Sequence, residues 1–433
     1  MNHQELYESK RTTLDGALHM LRSGDAFAVS GELCEPAEFL NHLDRVIGDL
    51  ENITLFKVKK GDGSGYPFMR LPDIGQHLNI VSLLFDAALR KSYAEGDTSF
   101  LPSNLHDAML RRTQYRPFDL FVAMATPMDE NGMFYVSGCG MYEEDAYRTA
   151  GRVILEVNPN LPKFHGSLAI PVSRVDALYE VDYPVTTFPR VEPTELDRRI
   201  GAFAADLVHD GDCIQLGLGG MPNAVGYSFF DKKDLGLHTE LFTPIMGDLI
   251  EAGVITGARK QIDVGKHVGN FVLGDEKLYR ILSQDPNVVF SQASYTNDPF
   301  VIAKNDNVVS LNTALEIDLT GQVCSESIGA RQYSGTGGAF DFAFGAQHSK
   351  GGRGILAMAS TAKGGTMSKI KPILTPGAVV SISRNVVDII ITEYGVAYLR
   401  GRSVRERAEQ LIAIAHPDFR DELRFEAKKL LYI

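Results

Sequence analysis

The residues best placed to do chemistry are a glycine-rich turn and a single glutamate that follows it. A strand-like run, Asp212-Cys213-Ile214-Gln215-Leu216, breaks into Gly217-Leu218-Gly219-Gly220-Met221-Pro222-Asn223. A glycine turn after a buried strand presents bare backbone N–H groups, which suit a phosphate or a developing oxyanion. A second strand-like run, Leu235-Gly236-Leu237-His238-Thr239-Glu240-Leu241-Phe242, then carries the carboxylate of Glu240 among apolar neighbours. A carboxylate in such a place can act as a nucleophile. Together the two features point to acyl transfer on a phosphate-bearing thioester.

The turn alone is a weak signal. It lacks the Lys-Ser/Thr of a P-loop, Pro222 breaks the G-x-G-x-x-G pattern, and an ordinary tight turn reads as well. A second glycine cluster, Ser334-Gly335-Thr336-Gly337-Gly338-Ala339-Phe340-Asp341-Phe342, strengthens the case for an anion or oxyanion site. Lys363 stands between an apolar run and two glycines, at the kind of strand end where α/β sheets bind ligands. It reads as a phosphate contact or as a surface charge. Glu393 ends another apolar run and reads as a helix cap, a solvated group or a neighbour of Glu240. His238 reads as structural, because a carboxylate nucleophile is already ionised and needs no base; His416 reads as a capping or packing residue.

These residues need a scaffold, and the chain of 433 residues is too long for one core. Strands are predicted at 26–30, 53–57, 120–125, 153–157, 213–216, 308–312, 355–359 and 389–392. Continuous apolar strands between amphipathic helices indicate mostly parallel sheets covered on both faces. The pattern also repeats. The stretch Leu21–Val29 matches Val208–Leu216, Phe121–Thr126 echoes Ile355–Ser360, and Val153–Val157 echoes Ile389–Glu393, in the same order. The expectation is two similar open α/β domains, 1–187 and 188–433, joined in the proline-containing stretch 183–194.

Composition narrows the function. A net charge of −12 disfavours nucleic acid and anionic membrane as partners, so an anionic ligand needs a local positive site. No apolar run approaches the roughly 20 residues of a membrane span, and the N-terminus lacks the marks of a signal peptide. The four cysteines form no C-x-x-C pair, so zinc and redox motifs are unsupported and buried free thiols in a reducing cytoplasm are expected.

The chain resembles the acetyl-CoA hydrolase/transferase family, the class I CoA-transferases that include 4-hydroxybutyrate, butyrate and acetate CoA-transferases. In the N-terminal half Thr126-Pro127-Met128-Asp129-Glu130-Asn131-Gly132 looks like the family's SPPDxxG turn. In the C-terminal half the matching elements are Gly217–Val225, His238-Thr239-Glu240, Ser334–Phe342, Ser349-Lys350-Gly351-Gly352, Thr392-Glu393-Tyr394-Gly395 and Ala415–Arg420. The resemblance implies a tandem CoA-transferase fold, with Glu240 forming a glutamyl-CoA thioester. It implies that Gly217, Leu218, Gly219, Gly220 and Met221 contact CoA and help form the oxyanion hole, with Asn297, Ser334, Gly338 and Lys363 as further CoA contacts. Together with the duplication it places an acyl pocket where the two domains meet, with Ser30, Gly31 and Glu393 binding substrate; Ser30 and Gly31 are small and leave room. The chain departs from the family at Thr243-Pro244-Ile245, where many members have an SDG triplet, and this bears on the choice of acid.

The activity so implied is ping-pong exchange of CoA between a short-chain acyl-CoA and a carboxylate. Coenzyme A enters as substrate, with no metal and no nucleotide redox cofactor, in a homodimer or higher homo-oligomer. The same residues would serve an acyl-CoA hydrolase. A non-catalytic acyl-CoA binding protein or a sugar-phosphate isomerase on a related fold fits them less well.

Overall fold

The protein is described here by a computed structural model covering residues 2–60 and 63–433. The chain divides into two compact units, one of residues 1–188 with 270–295 and one of residues 189–269 with 296–433. The first division falls between Phe188 and Pro189. The return of residues 270–295 to the first unit was not expected, since a short excursion leaves no mark in composition.

In the first unit seven strands form one parallel sheet: β1 (Ala26–Val29), β2 (Ile53–Phe56), β3 (Leu78–Ser82), β4 (Thr98–Phe100), β5 (Leu120–Ala125), β6 (Arg152–Val157) and β7 (Ala177–Glu180). Their order is β4-β3-β2-β1-β5-β6-β7. Strands β1, β2 and β5 are buried at every position, as strands covered on both faces must be. Phe27, Val29, Leu55, Leu120, Val122 and Ile154 belong to one apolar core with the helical residues Leu18, Phe39 and Leu89.

The second unit repeats the plan. Its strands are β8 (Cys213–Leu216), β9 (Gly236–His238), β10 (His267–Gly269), β11 (Val308–Thr313), β12 (Arg353–Ala357), β13 (Ile389–Thr392) and β14 (Gly395–Tyr398). They run in the order β10-β9-β8-β11-β12-β13-β14, parallel except for the final hairpin. In both units the first strand lies inside the sheet. The next strands step off one side, and the chain then crosses back to build the other.

This topology corrects the strand matching read from the sequence. β1 corresponds to β8, as expected, but β5 corresponds to β11 and β6 to β12. The apolar echoes had paired β5 with β12 and β6 with β13, each one strand out. Buried parallel strands all read as interchangeable apolar runs, so such echoes locate strands without identifying them. An ion pair fixes the correct match. Asp25, before β1, binds Arg152 at the start of β6 at 2.7 Å, and Asp212, before β8, binds Arg353 at the start of β12 at 2.7 Å. Each aspartate also accepts a backbone N–H three residues back, from Arg22 and from His209.

All eight predicted strands exist within two residues of their predicted ends. Those not predicted are short, like Thr98–Phe100, or broken by polar residues, like Leu78-Asn79-Ile80.

Candidate active site

Strand β9 is three residues long and fully buried. Pairing with β10 continues one residue beyond it, where the Thr239 N–H donates to the Val268 carbonyl at 2.9 Å. The chain then bends, and Glu240 sits half-buried in that bend rather than inside a strand. The carboxylate is therefore at the carboxyl end of a parallel strand, where an open α/β sheet is accessible to ligands.

Glu240 does not stand alone there. The Asn297 side chain, wholly buried, donates its Nδ2–H to Glu240 Oε2 at 2.8 Å. A carboxylate only accepts, so the amide nitrogen must face it; the Thr296 hydroxyl donates to Asn297 Oδ1 on the other side at 3.2 Å. His238, two residues before Glu240, donates from Nε2 to the Thr296 carbonyl at 2.9 Å. The carbonyl can only accept, which fixes the Nε2–H tautomer. Thus two rungs, His238–Thr296 and Glu240–Asn297, tie the same two segments together. Burial, with the Lys260 ammonium nearby, pushes His238 down to about 4, so it is a neutral donor and not a base.

The third member of the cluster is Gly338, which precedes the helix Ala339–His348. A Cβ at this position would fall 1.8 Å from Glu240 Oε2 and 2.3 Å from Asn297 Nδ2. Its φ is −88°, so glycine is needed for space and not for backbone conformation. The carboxylate consequently lies against the N-terminus of a ten-residue helix, where the macrodipole favours negative charge.

The first glycine loop follows β8, the strand that neighbours β9 in the sheet. β8 pairs with β9 as Cys213↔Gly236 and Ile214↔Leu237. Beyond the last residue of β8, the Gly217 N–H donates to the Leu311 carbonyl at 3.1 Å. Gly219 has φ 122° and ψ −178°, a backbone that only glycine adopts readily, and no atom lies within 4 Å of the position of its missing Cβ. It caps the helix Gly220–Tyr227, whose Pro222 lacks an N–H, so Gly220 and Met221 supply the opening donors of that turn. Leu218 is 51 % exposed. Beneath the loop, Gln215 and Asn312 exchange a reciprocal pair of amide hydrogen bonds at 3.2 and 3.1 Å. That pair was not among the sequence candidates, since two amides so far apart in the chain carry no local pattern.

The remaining candidates lie elsewhere. Lys363 occupies the exposed turn of the hairpin Thr361–Ala362/Met367–Ser368 with φ 51°, beyond the sheet and not at a strand end. Ser334 is held by backbone bonds, its N–H to Glu326 and its carbonyl from Gln332, at the base of the second glycine cluster. Glu393 follows β13, four strand spacings or roughly 19 Å from the Glu240 row. Its carboxylate accepts the Ser360 N–H at 2.8 Å and the Ser360 hydroxyl at 2.7 Å, so it braces the end of β12 and is not a neighbour of Glu240.

In the first unit Ser30 and Gly31 are buried. The Ser30 hydroxyl donates to the Cys34 carbonyl, and the Gly31 N–H to Glu143. Their small size leaves no empty room: a Cβ at Gly31 would meet Val58 at 2.7 Å and the Tyr142 hydroxyl at 3.2 Å. Thr243-Pro244-Ile245 starts the helix Pro244–Glu251, with proline at its first position, where no N–H is needed. Ile245 packs on Gly226 of the glycine-loop helix, where an added Cβ would meet it at 2.5 Å.

No group of three or more His, Cys, Asp or Glu side chains among the described residues is placed to hold a metal ion. No helix among them is long and apolar enough to cross a membrane.

Residues 1–189 match the acetyl-CoA hydrolase/transferase N-terminal domain and residues 274–427 the C-terminal domain of the same family. The chain is 39 % identical over 431 residues to the succinyl-CoA:cyclohexane-1-carboxylate CoA transferase of Geobacter metallireducens, covering 99 % of this chain and 97 % of that one. It is 36 % identical to the 4-hydroxybutyrate coenzyme A transferase of Clostridium kluyveri, covering 99 % and 100 %. The crystal structure of RipA from Yersinia pestis superposes over the whole of both chains with a TM-score of 0.93 at 36 % identity.

Proposed function

The chain belongs to the acetyl-CoA hydrolase/transferase family, and from that premise we propose that it is an acyl-CoA:carboxylate CoA-transferase using Glu240 as a covalent nucleophile. The observation that carries the reading is the Glu240–Asn297–Gly338 cluster. It holds one carboxylate at a strand end with a donor on one oxygen and a helix N-terminus beside it. The full-length relatives named above are transferases, which favours transfer over hydrolysis.

The chemistry runs in balanced steps. A Glu240 carboxylate oxygen attacks the thioester carbonyl of a short-chain acyl-CoA, and the carbonyl electron pair moves onto oxygen. Collapse expels CoA thiolate and leaves an acyl-glutamyl anhydride. The thiolate attacks the glutamyl carbonyl, releasing the first acid as its carboxylate and leaving glutamyl-CoA. A second carboxylate attacks that thioester, and the same steps in reverse yield the new acyl-CoA and free Glu240. No net redox change or external energy source is needed, because one thioester replaces another.

Each residue has a part in this reading. Asn297 orients Glu240 and can donate to the carbonyl oxygen that the carboxylate becomes. In this reading the loop Gly217–Met221, which follows the neighbouring strand β8, supplies N–H groups to the developing oxyanion. Ser334, Gly338 and Lys363 contact CoA. A homo-oligomer in the cytoplasm belongs to the same proposal; the four cysteines are free and buried, which suits a reducing compartment.

The test is the release of free CoA from acetyl-CoA, butanoyl-CoA and succinyl-CoA, with and without an added carboxylate. A transferase forms the new acyl-CoA in proportion to added acid and releases little free CoA without it. Free CoA at the same rate in both cases would make the protein a hydrolase.

A further inference from the structure

In the second unit a buried acid grips the glycine loop that reaches Glu240. The loop Ser334–Gly338 has glycine at three of its five positions, and Gly337 has φ of +55°. Glycine gives a loop little stiffness of its own. Yet the last residue of this one needs close placement. A Cβ at Gly338 would overlap both Glu240 Oε2 and Asn297 Nδ2, so a small shift of the loop either crowds the carboxylate or draws the helix N-terminus away from it. The loop must therefore be held from outside.

Glu326 supplies that hold. Its backbone carbonyl accepts the Tyr333 N–H at 2.8 Å and the Ser334 N–H at 3.0 Å, where the loop begins. Its buried carboxylate accepts from Gln332 Nε2 on Oε2 at 3.1 Å, and Gln332 donates also to the Ser334 carbonyl at 2.7 Å. On Oε1 it accepts the Thr336 hydroxyl at 3.4 Å, two residues before Gly338, and the Ser381 hydroxyl at 2.8 Å. Ser381 ties the acid to the frame. Its oxygen accepts the Ser325 N–H at 3.0 Å, and its own N–H donates to the Val323 carbonyl at 2.9 Å. The Thr336 carbonyl accepts the Ala339 N–H at 3.3 Å, so the grip passes into the first turn of the helix behind Gly338. No ion pair reaches Glu326 among the described residues, and neutral donors alone offset its burial. An apolar side chain would fill such a place at less cost. A buried carboxylate held by several donors instead resists displacement, because each donor lost leaves an oxygen unsatisfied.

We propose that Glu326 is a positioning residue for the reaction at Glu240. By fastening the loop Ser334–Gly338 at both ends, it sets how closely Gly338 and the helix N-terminus behind it approach the carboxylate. The kinetic arm of the test rests on the transferase reading above, and the structural arm does not. Amide hydrogen exchange over residues 333–340 is measured beside kcat for transfer from acetyl-CoA to butanoate. The proteins are the native one, Glu326→Leu, Glu326→Gln and Thr336→Val. Glu326→Leu should speed exchange in that segment at least about tenfold and leave the strand Leu120–Ala125 as slow as in the native protein. Its kcat should fall about 10²-fold, the effect of a displacement of about 1 Å. Glutamine has the same length. Its amide oxygen can face Gln332 while the two hydroxyls turn to accept from its nitrogen, so Glu326→Gln should keep kcat within about tenfold of native. Thr336→Val removes only the bond at the far end of the loop and should fall between the two; it carries the test if Glu326→Leu does not fold. Native exchange in both Thr336→Val and Glu326→Leu overturns the proposal. Faster exchange with native kcat also overturns it and assigns Glu326 to the fold alone, as does an equal loss of kcat in Glu326→Gln and Glu326→Leu. Should the native protein transfer CoA to no acid, the transferase reading fails by itself. Exchange then decides: faster exchange in Thr336→Val upholds the grip on the loop at Glu240, and unchanged exchange overturns it.

Discussion

Asn297 Nδ2 donates to Glu240 Oε2 across 2.8 Å, with Asn297 itself wholly buried. A buried amide with one face on a carboxylate and the other on the Thr296 hydroxyl cannot turn away without losing both partners. The nucleophile is thus held at its strand end before any substrate arrives, so little orientation remains to be achieved on binding.

That relationship makes Asn297 the group whose loss should be felt in turnover. In Asn297→Ala, kcat should fall about 10²–10³-fold, the range for removal of one positioned donor. Asn297→Asp should do worse near neutral pH, because two carboxylates would then share the space of one hydrogen bond. Its residual activity should rise as pH falls and one of the pair takes a proton. Initial rates from pH 4.5 to 8 measure this; activity of the aspartate variant that is flat with pH contradicts it.

Gly338 and Gly219 are both glycine for different reasons, and alanine separates them. In Gly338→Ala the Cβ would overlap Glu240 Oε2 and Asn297 Nδ2, with an ordinary φ of −88°. The rate should drop at least about 100-fold while stability changes by about 1–3 kcal/mol. In Gly219→Ala the added carbon meets nothing, but φ of 122° is forced on an L residue, so the loop itself should shift. KM for acyl-CoA should then rise along with the fall in kcat. Steady-state kinetics beside thermal melts distinguish the two, and wild-type turnover in Gly338→Ala would contradict the geometry.

His238 sets a pH dependence of stability and not of the chemistry. Its folded value of about 4 lies below the ordinary 6.5 because burial disfavours the imidazolium. Above pH 6.5 both folded and unfolded chains carry it neutral, and it contributes no pH dependence. As pH falls from 6.5 toward 4, the unfolded chain takes up the proton and the folded one does not, so stability declines by roughly 3 kcal/mol across that window. Denaturant melts at pH 7 and pH 4.5 should show less of this decline in His238→Gln, which never ionises. An equal decline in both proteins would contradict the assignment.

The duplicated ion pairs should be equivalent in energy as they are in position. Arg152→Met leaves Asp25 buried without its partner, and Arg353→Met does the same to Asp212. Each should cost about 3–5 kcal/mol, and Asp→Asn in the same chain should recover much of it, since the harm is the stranded charge. A loss below 1 kcal/mol in either single variant would contradict this.

How much of this was legible in the sequence follows from what each feature depends on. Strands such as Leu120–Ala125 are continuous apolar runs and show themselves. Glu240 was visible because a charged residue in an apolar run after a glycine turn is locally odd. Asn297 and Gly338 came from the family resemblance only as CoA contacts, and their place beside Glu240 was not legible, since nothing local marks a residue more than fifty positions away as its neighbour. Glu393 stayed open between a helix cap, a solvated group and a neighbour of Glu240 because all strand ends look alike until strand order is known. Ser30 and Gly31 suggested open space, yet small residues are also where neighbours such as Val58 and Tyr142 pack closest.

The central claim is that Glu240 becomes covalently joined to CoA. The most direct measurement is to incubate the protein with acyl-CoA, reduce with borohydride, digest it and find the modified residue by mass spectrometry. Reduction of the thioester turns the acid of Glu240 into an alcohol, a loss of about 14 Da on the peptide that holds it, and Glu240→Ala should show none while still binding CoA. Modification at any other residue, or transfer that persists in Glu240→Ala, would contradict the account.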